Sequence, residues 1–156
     1  MSGIVSIDEQ IAAMADAWPQ LELVQRQRDS AIWGGPLRPL FQTFIIRISY
    51  RAPSVIELLD NRRLQPLVRV LSPALRPRSR SMEGQLPHVY YVGPDPLDVI
   101  LCMFDPDSDE WSPMLKIAET TVPWTIDWIA SYEGWRATGE WTGGGKHLSY
   151  SVVAKD

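Results

Sequence analysis

The chain carries one cysteine, Cys102, and two histidines, His88 and His147, in 156 residues. A single thiol rules out an intramolecular disulfide and any metal site built from several cysteines, and a free thiol fits a reducing compartment. Lysine is scarce too. Of fifteen basic residues only Lys116, Lys146 and Lys155 are lysines, the others being arginines. Few amines are therefore left on the protein's own surface, which fits avoidance of self-modification and fits equally a drift of composition toward arginine. There is no apolar run long enough to span a bilayer and no basic-then-apolar secretory leader, so the expected address is the cytoplasm, without a membrane partner. The net charge of -4 supplies no general attraction to nucleic acid. Arg62, Arg63, Arg69, Arg76, Arg78 and Arg80 form a locally basic stretch, enough for a patch but not for a nucleic-acid-binding domain. Nothing calls for a cofactor or a metal.

The composition is that of an ordinary globular protein, 45% hydrophobic and 22% charged, and the length suits one domain over residues 1–156 with a core of its own. Ile7, Ile11, Met14 and Trp18 recur at helical spacing, with Ser6 and Glu9 placed as a capping box and Pro19 as a stop; a first helix is expected over residues 6–18. Leu21 to Arg28 alternates as a strand does, and Trp33-Gly34-Gly35-Pro36 reads as a turn feeding a second strand over Leu40–Tyr50. Residues 54–65 are either a short helix or an irregular connection. Residues 66–72 read as a third strand, and the Pro-, Arg- and Ser-rich segment to Glu83 as a loop. A fourth extended portion covers His88–Val92. After a turn at Gly93–Pro96, the apolar run Val99–Phe104 holds Cys102 near a strand end. Residues 105–113 are an acidic loop. Pro123 opens a second long helix, on which Trp124, Trp128, Ile129, Tyr132 and Trp135 form a packing stripe, and the helix ends in the glycines from Gly139 to Gly145. Leu148–Val153 reads as a terminal strand or ordered tail. Helices on one side of an antiparallel meander make the fold class α+β.

A free cysteine in an apolar strand is commonly a small core residue, and equally it is the one side chain here able to act as a strong nucleophile. The residues alone leave both open. Asp105, Asp107, Asp109 and Glu110 would disfavour a thiolate beside them, which makes any nucleophile there a modest one. A solvated acidic surface loop is the plainer reading. Trp111, in the same loop, either walls the cysteine from water or anchors the loop.

The linked motifs in residues 88–147, HVYYVGPDPLDVILCMFDPDSDEWSP and then VPWTIDWIASYEGWRATGEWTGGGKH, resemble the ubiquitin-conjugating-like proteins of bacterial CBASS anti-phage operons. Their pattern joins a His-Val-Tyr segment, a Leu-Cys strand, a Trp-Ser-Pro loop, a Pro-Trp helix start and a Thr-Gly-Glu-Trp finish. The resemblance implies a ubiquitin-conjugating fold, with an N-terminal helix, a four-stranded antiparallel meander and a C-terminal helix. It implies the stand-alone, short-operon type, with Cys102 as the nucleophile that holds an acyl group as a thioester and passes it to an amine. The implied partner is a cGAS-like nucleotidyltransferase, whose C-terminal glycine is the acyl group. Two alternatives keep the same fold: a docking module that binds the nucleotidyltransferase without chemistry, and a conjugating enzyme of a bacterial ubiquitin-like operon. Eukaryotic conjugating enzymes carry His-Pro-Asn where this chain has Pro87-His88-Val89-Tyr90. With the asparagine missing, His88 is a candidate for oxyanion or acid/base support, a tyrosine donor being the other, and a structural histidine remains open.

Overall fold

The computed structural model describes residues 3–59, 65–78, 86–95, 98–104 and 110–142. The expected terminal strand or ordered tail, the glycines Gly143–Gly145, His147, Asp105, Asp107, Asp109, Arg62, Arg63 and Arg80 lie outside the described residues. The first helix, α1 (Ile7–Ala17), starts as expected: Ser6 Oγ accepts from the Glu9 amide, and the Glu9 carboxylate accepts from the Ser6 amide. Two orphan amide donors are satisfied reciprocally, and these hydrogen bonds hold the Glu9 carboxyl below the ordinary carboxylate range.

Four strands follow in sequence order and pair antiparallel with their neighbours: β1 (Glu22–Arg26), β2 (Ser30–Leu37), β3 (Phe44–Arg51) and β4 (Leu67–Ser72). One face is buried. Trp33, Leu37, Phe44, Ile46, Ile48, Tyr50 and Val68 alternate with exposed or half-exposed residues, so register and burial specify each other. The expected turn at Trp33–Pro36 is not a turn; these four residues lie inside β2. A Cβ on Gly35 would stand 2.2 Å from the Gln20 carbonyl oxygen, so this glycine permits a close backbone approach. Pro36 pairs with Ile45 on one side, past the last residue that β1 pairs, where β2 needs no amide donor on its other side.

Between β3 and β4, α2 (Val55–Leu59) resolves the open reading of residues 54–65 in favour of a short helix. Ser54 and Glu57 repeat the reciprocal capping of α1, and both Glu57 oxygens accept from the Arg51 guanidinium at 2.8 and 2.6 Å. That pairing holds the Glu57 carboxyl down to about 2. The second, smaller sheet is a hairpin of β5 (Val89–Tyr91) and β6 (Val99–Leu101), lying against β4 and tied to it by the Arg69–Asp98 ion pair. A 3-10 turn at Ile117–Glu119 leads into α3 (Thr121–Thr138), with Pro123 in its first turn and Gly139, at φ 87°, as its left-handed cap. Trp128, Ile129 and Tyr132 are buried, while Trp124 and Trp135 pack half-buried against the same core, so the tryptophan stripe is packing. The long connection before α3 is pinned by α1. Fully buried Gln10 donates from Nε2 to the Leu115 carbonyl and accepts the Ile117 amide at Oε1.

Candidate functional site

Cys102 directly follows β6, as the sequence places it. It is buried, at 5% exposure. Its amide continues the hairpin ladder one step beyond the strands, donating to the His88 carbonyl at 2.9 Å. The residues after it face α3: Met103 Sδ meets Thr125 Oγ1 at 3.4 Å, and the Phe104 ring packs against Trp124 at 5.5 Å. The segment is therefore anchored on both sides of the thiol by partners in two different elements.

His88 stands opposite Cys102 but does not behave as a strand residue. Its φ of 56° puts it in the left-handed region, a costly place for a histidine, sustained only where surrounding contacts fix it. The contacts are visible: its carbonyl accepts both the Cys102 amide and the Trp128 indole N–H, each at 2.9 Å. Its ring stacks on Trp141, with centroids 4.6 Å apart. Trp141 also packs edge-on against Trp128, so histidine, hairpin and α3 form one aromatic-lined joint. The backbone of His88 thus positions the cysteine strand directly.

The hydroxyl beside the thiol belongs to Tyr90, with Oη 3.2 Å from Sγ; the Phe104 carbonyl oxygen lies at 3.7 Å. Tyr90 and Tyr91 point to opposite sides of β5, as successive strand residues do. Tyr90 reaches Cys102, and Tyr91 is 44% exposed, its hydroxyl accepting the Leu86 amide. Trp111 anchors its loop: it is buried, donates to Thr120 Oγ1 at 3.2 Å and meets the Tyr50 ring edge-on at 5.6 Å. Of the basic stretch, Arg69 is paired with Asp98, and Arg78 donates to the Arg136 carbonyl. Among the described residues no group of three or more His, Cys, Asp or Glu is placed to hold a metal, and no helix is long and apolar enough to cross a membrane.

A leading helix, a four-stranded meander, a cysteine just past a short hairpin strand and a closing helix define a ubiquitin-conjugating-like α+β domain. The chain belongs to the type II CBASS E2 protein family, whose sequence model matches residues 10–148. That membership places it in CBASS anti-phage defence, among proteins of the conjugating-enzyme kind. No curated protein matches the chain.

Proposed function

We propose that the protein is a cytoplasmic acyl carrier in which Cys102 holds the C-terminal glycine of the operon's cGAS-like nucleotidyltransferase as a thioester and delivers it to an amine. A carboxylate is inert toward a thiol, so the glycine must arrive activated, as an acyl adenylate or as a thioester on another protein. The Cys102 thiolate attacks its carbonyl carbon, a carbon–sulfur bond forms, and AMP or the donor thiolate leaves. An amine then attacks the same carbon, an amide bond forms, Cys102 leaves as thiolate, and the amine's proton passes to base or solvent. The observation that supports this reading best is the thiol's place within a chain that matches the family over most of its length: it directly follows β6, on a segment held by His88 and α3. His88 supports the site through its backbone, with acid/base work by its ring a further part of the proposal.

The test presents the nucleotidyltransferase as a chemically prepared C-terminal thioester. Expected is an adduct that thiol reductant removes, that Cys102→Ala abolishes and that Cys102→Ser converts to a reductant-resistant ester. Stable binding without any adduct would move the protein to the docking-module reading. An adduct formed only with a ubiquitin-like donor would move it to the other operon type.

A further inference from the structure

We infer that Tyr90 is a catalytic residue, whose hydroxyl donates a hydrogen bond first to the Cys102 thiolate and then to the carbonyl oxygen of the acyl group that Cys102 carries. This rests on the thioester reading above for its second half only. The placement follows from the hairpin register. Tyr90 pairs with Ile100, which makes Cys102, two residues on from Ile100 and one past the end of β6, its diagonal neighbour where the ladder continues to the His88 carbonyl; an aromatic side chain spans that diagonal. His88, directly opposite Cys102, would be the nearer candidate if it continued the strand. Its left-handed backbone breaks the alternation, and its ring lies against Trp141.

The chemistry separates two groups that stand beside the sulfur among the described residues. Phe104 offers a carbonyl oxygen, which accepts a hydrogen bond from a neutral thiol but opposes a thiolate; Tyr90 offers an O–H, which accepts or donates as the sulfur requires. When the thiol ionises, the bond from Tyr90 becomes charge-assisted and shortens. When an acyl group is on sulfur, its carbonyl carbon is bonded to the atom this hydroxyl already touches, and its carbonyl oxygen lies two bonds from that sulfur. The oxygen becomes negative as the amine attacks, and a fixed donor there supplies what the missing asparagine would. Tyr90 is half-buried, so its hydroxyl stands beside the sulfur on a side chain that is not sealed into the core.

Tyr90→Phe keeps the ring and removes the donor. Two readouts are needed, together with a melting curve to verify the fold. The first is the pH dependence of Cys102 alkylation by iodoacetamide, with no partner present. Losing a charge-assisted donor should raise its midpoint by about half to one unit, a three- to tenfold change in thiol acidity. Asp105, Asp107, Asp109, Glu110 and His88 are identical in both proteins, so their influence cancels in the comparison. The second is single-turnover discharge of the preformed thioester to an amine, which should slow by about a hundredfold while loading survives. An unmoved midpoint with unchanged discharge would overturn the inference. So would faster alkylation at an unmoved midpoint, which would reduce Tyr90 to a steric cover. If the wild type forms no thioester yet the midpoint moves, the Tyr90–Cys102 pair stands and the acyl-carrier reading falls. A thioester with neither effect leaves the carrier reading intact and removes Tyr90 from it.

Discussion

The four-stranded sheet and the cysteine hairpin are built from the same kind of antiparallel pairing but are held by different means. β2 and β3 pair over eight consecutive residues, and the alternation along them buries a continuous row of side chains. β5 and β6 pair over three. A two-stranded ribbon that short has no independent stability, and its geometry comes from outside: the Trp128 indole on the His88 carbonyl, Thr125 and Trp124 against Met103 and Phe104, and Arg69 on Asp98. The sheet is a scaffold specified by its own pattern. The thiol sits in the part that depends on neighbours, where a short segment can rearrange without unfolding the rest.

Breaking the scaffold should therefore cost most. Gly35→Ala forces a methyl onto the Gln20 carbonyl oxygen, a backbone atom fixed by the approach of the chain to β1. The expected loss is about 3 kcal/mol or more in a denaturant titration, with cooperative unfolding of the whole domain. Gln10→Leu comes next, because it acts where α1 holds the connection that leads into α3. The leucine fits the volume but leaves the Leu115 carbonyl and the Ile117 amide without their partner, for about 2–3 kcal/mol. A loss below 0.5 kcal/mol would mean that the connection to α3 is not held by α1.

Within the hairpin the expected effects are smaller in stability and larger in reactivity. Trp128→Phe keeps a ring in the stack with Tyr132 and removes one donor from the His88 carbonyl, costing about 1 kcal/mol. Iodoacetamide should label Cys102 several-fold faster in this variant although the melting midpoint shifts little; equal labelling would mean that the indole does not restrain the cysteine strand. His88→Gly is the sharper probe. Glycine adopts φ 56° freely, so relief of backbone strain offsets the lost stacking on Trp141 and stability should change by less than about 1 kcal/mol. The carbonyl that holds Cys102 remains. Thioester discharge should stay within tenfold of wild type if His88 acts through its backbone; a loss of a hundredfold or more at unchanged stability would assign the chemistry to its ring.

The same division explains what could be read from the sequence. Helices with capping residues and periodic faces, α1 and α3, were legible nearly to their ends, and so was Cys102 at the end of an apolar strand. Ser54-x-x-Glu57 carries the same capping signal as Ser6-x-x-Glu9, and it was the readable feature that settles α2. The glycines of β2 misled because a Gly-Gly-Pro run marks a turn wherever local chemistry decides. Here a tertiary contact, the passage of Gln20 over Gly35, decided instead. Gln10 gave no sign of its role, since a polar residue amid a helical stripe is ordinary and its partners are more than a hundred residues away. His88 was singled out by alignment of motifs, whereas the contact with sulfur belongs to Tyr90, and the reason is a backbone dihedral that no periodicity reports.

Tyr50 marks the seam between the two regions and should show the smallest effect at neutral pH. It lies on the buried face of β3, edge-on to Trp111 of the loop that follows the cysteine segment, and its hydroxyl is buried without a hydrogen-bond partner among the described residues. Phenylalanine would keep the ring contact and remove an unsatisfied polar group, so Tyr50→Phe should be neutral or stabilising by up to about 1 kcal/mol. Burial also pushes the Tyr50 phenol up to about 12. Its ordinary value applies in the unfolded chain, so between about pH 10 and 12 the folded protein holds a proton that the unfolded one has released. That contribution is complete below pH 10 and is lost as the pH rises through the window. The stability of the wild type should therefore fall relative to Tyr50→Phe above pH 10, by an amount on the order of 1 kcal/mol. Parallel curves through pH 11 would mean that water reaches this hydroxyl, and that the seam between scaffold and cysteine segment is wet rather than packed.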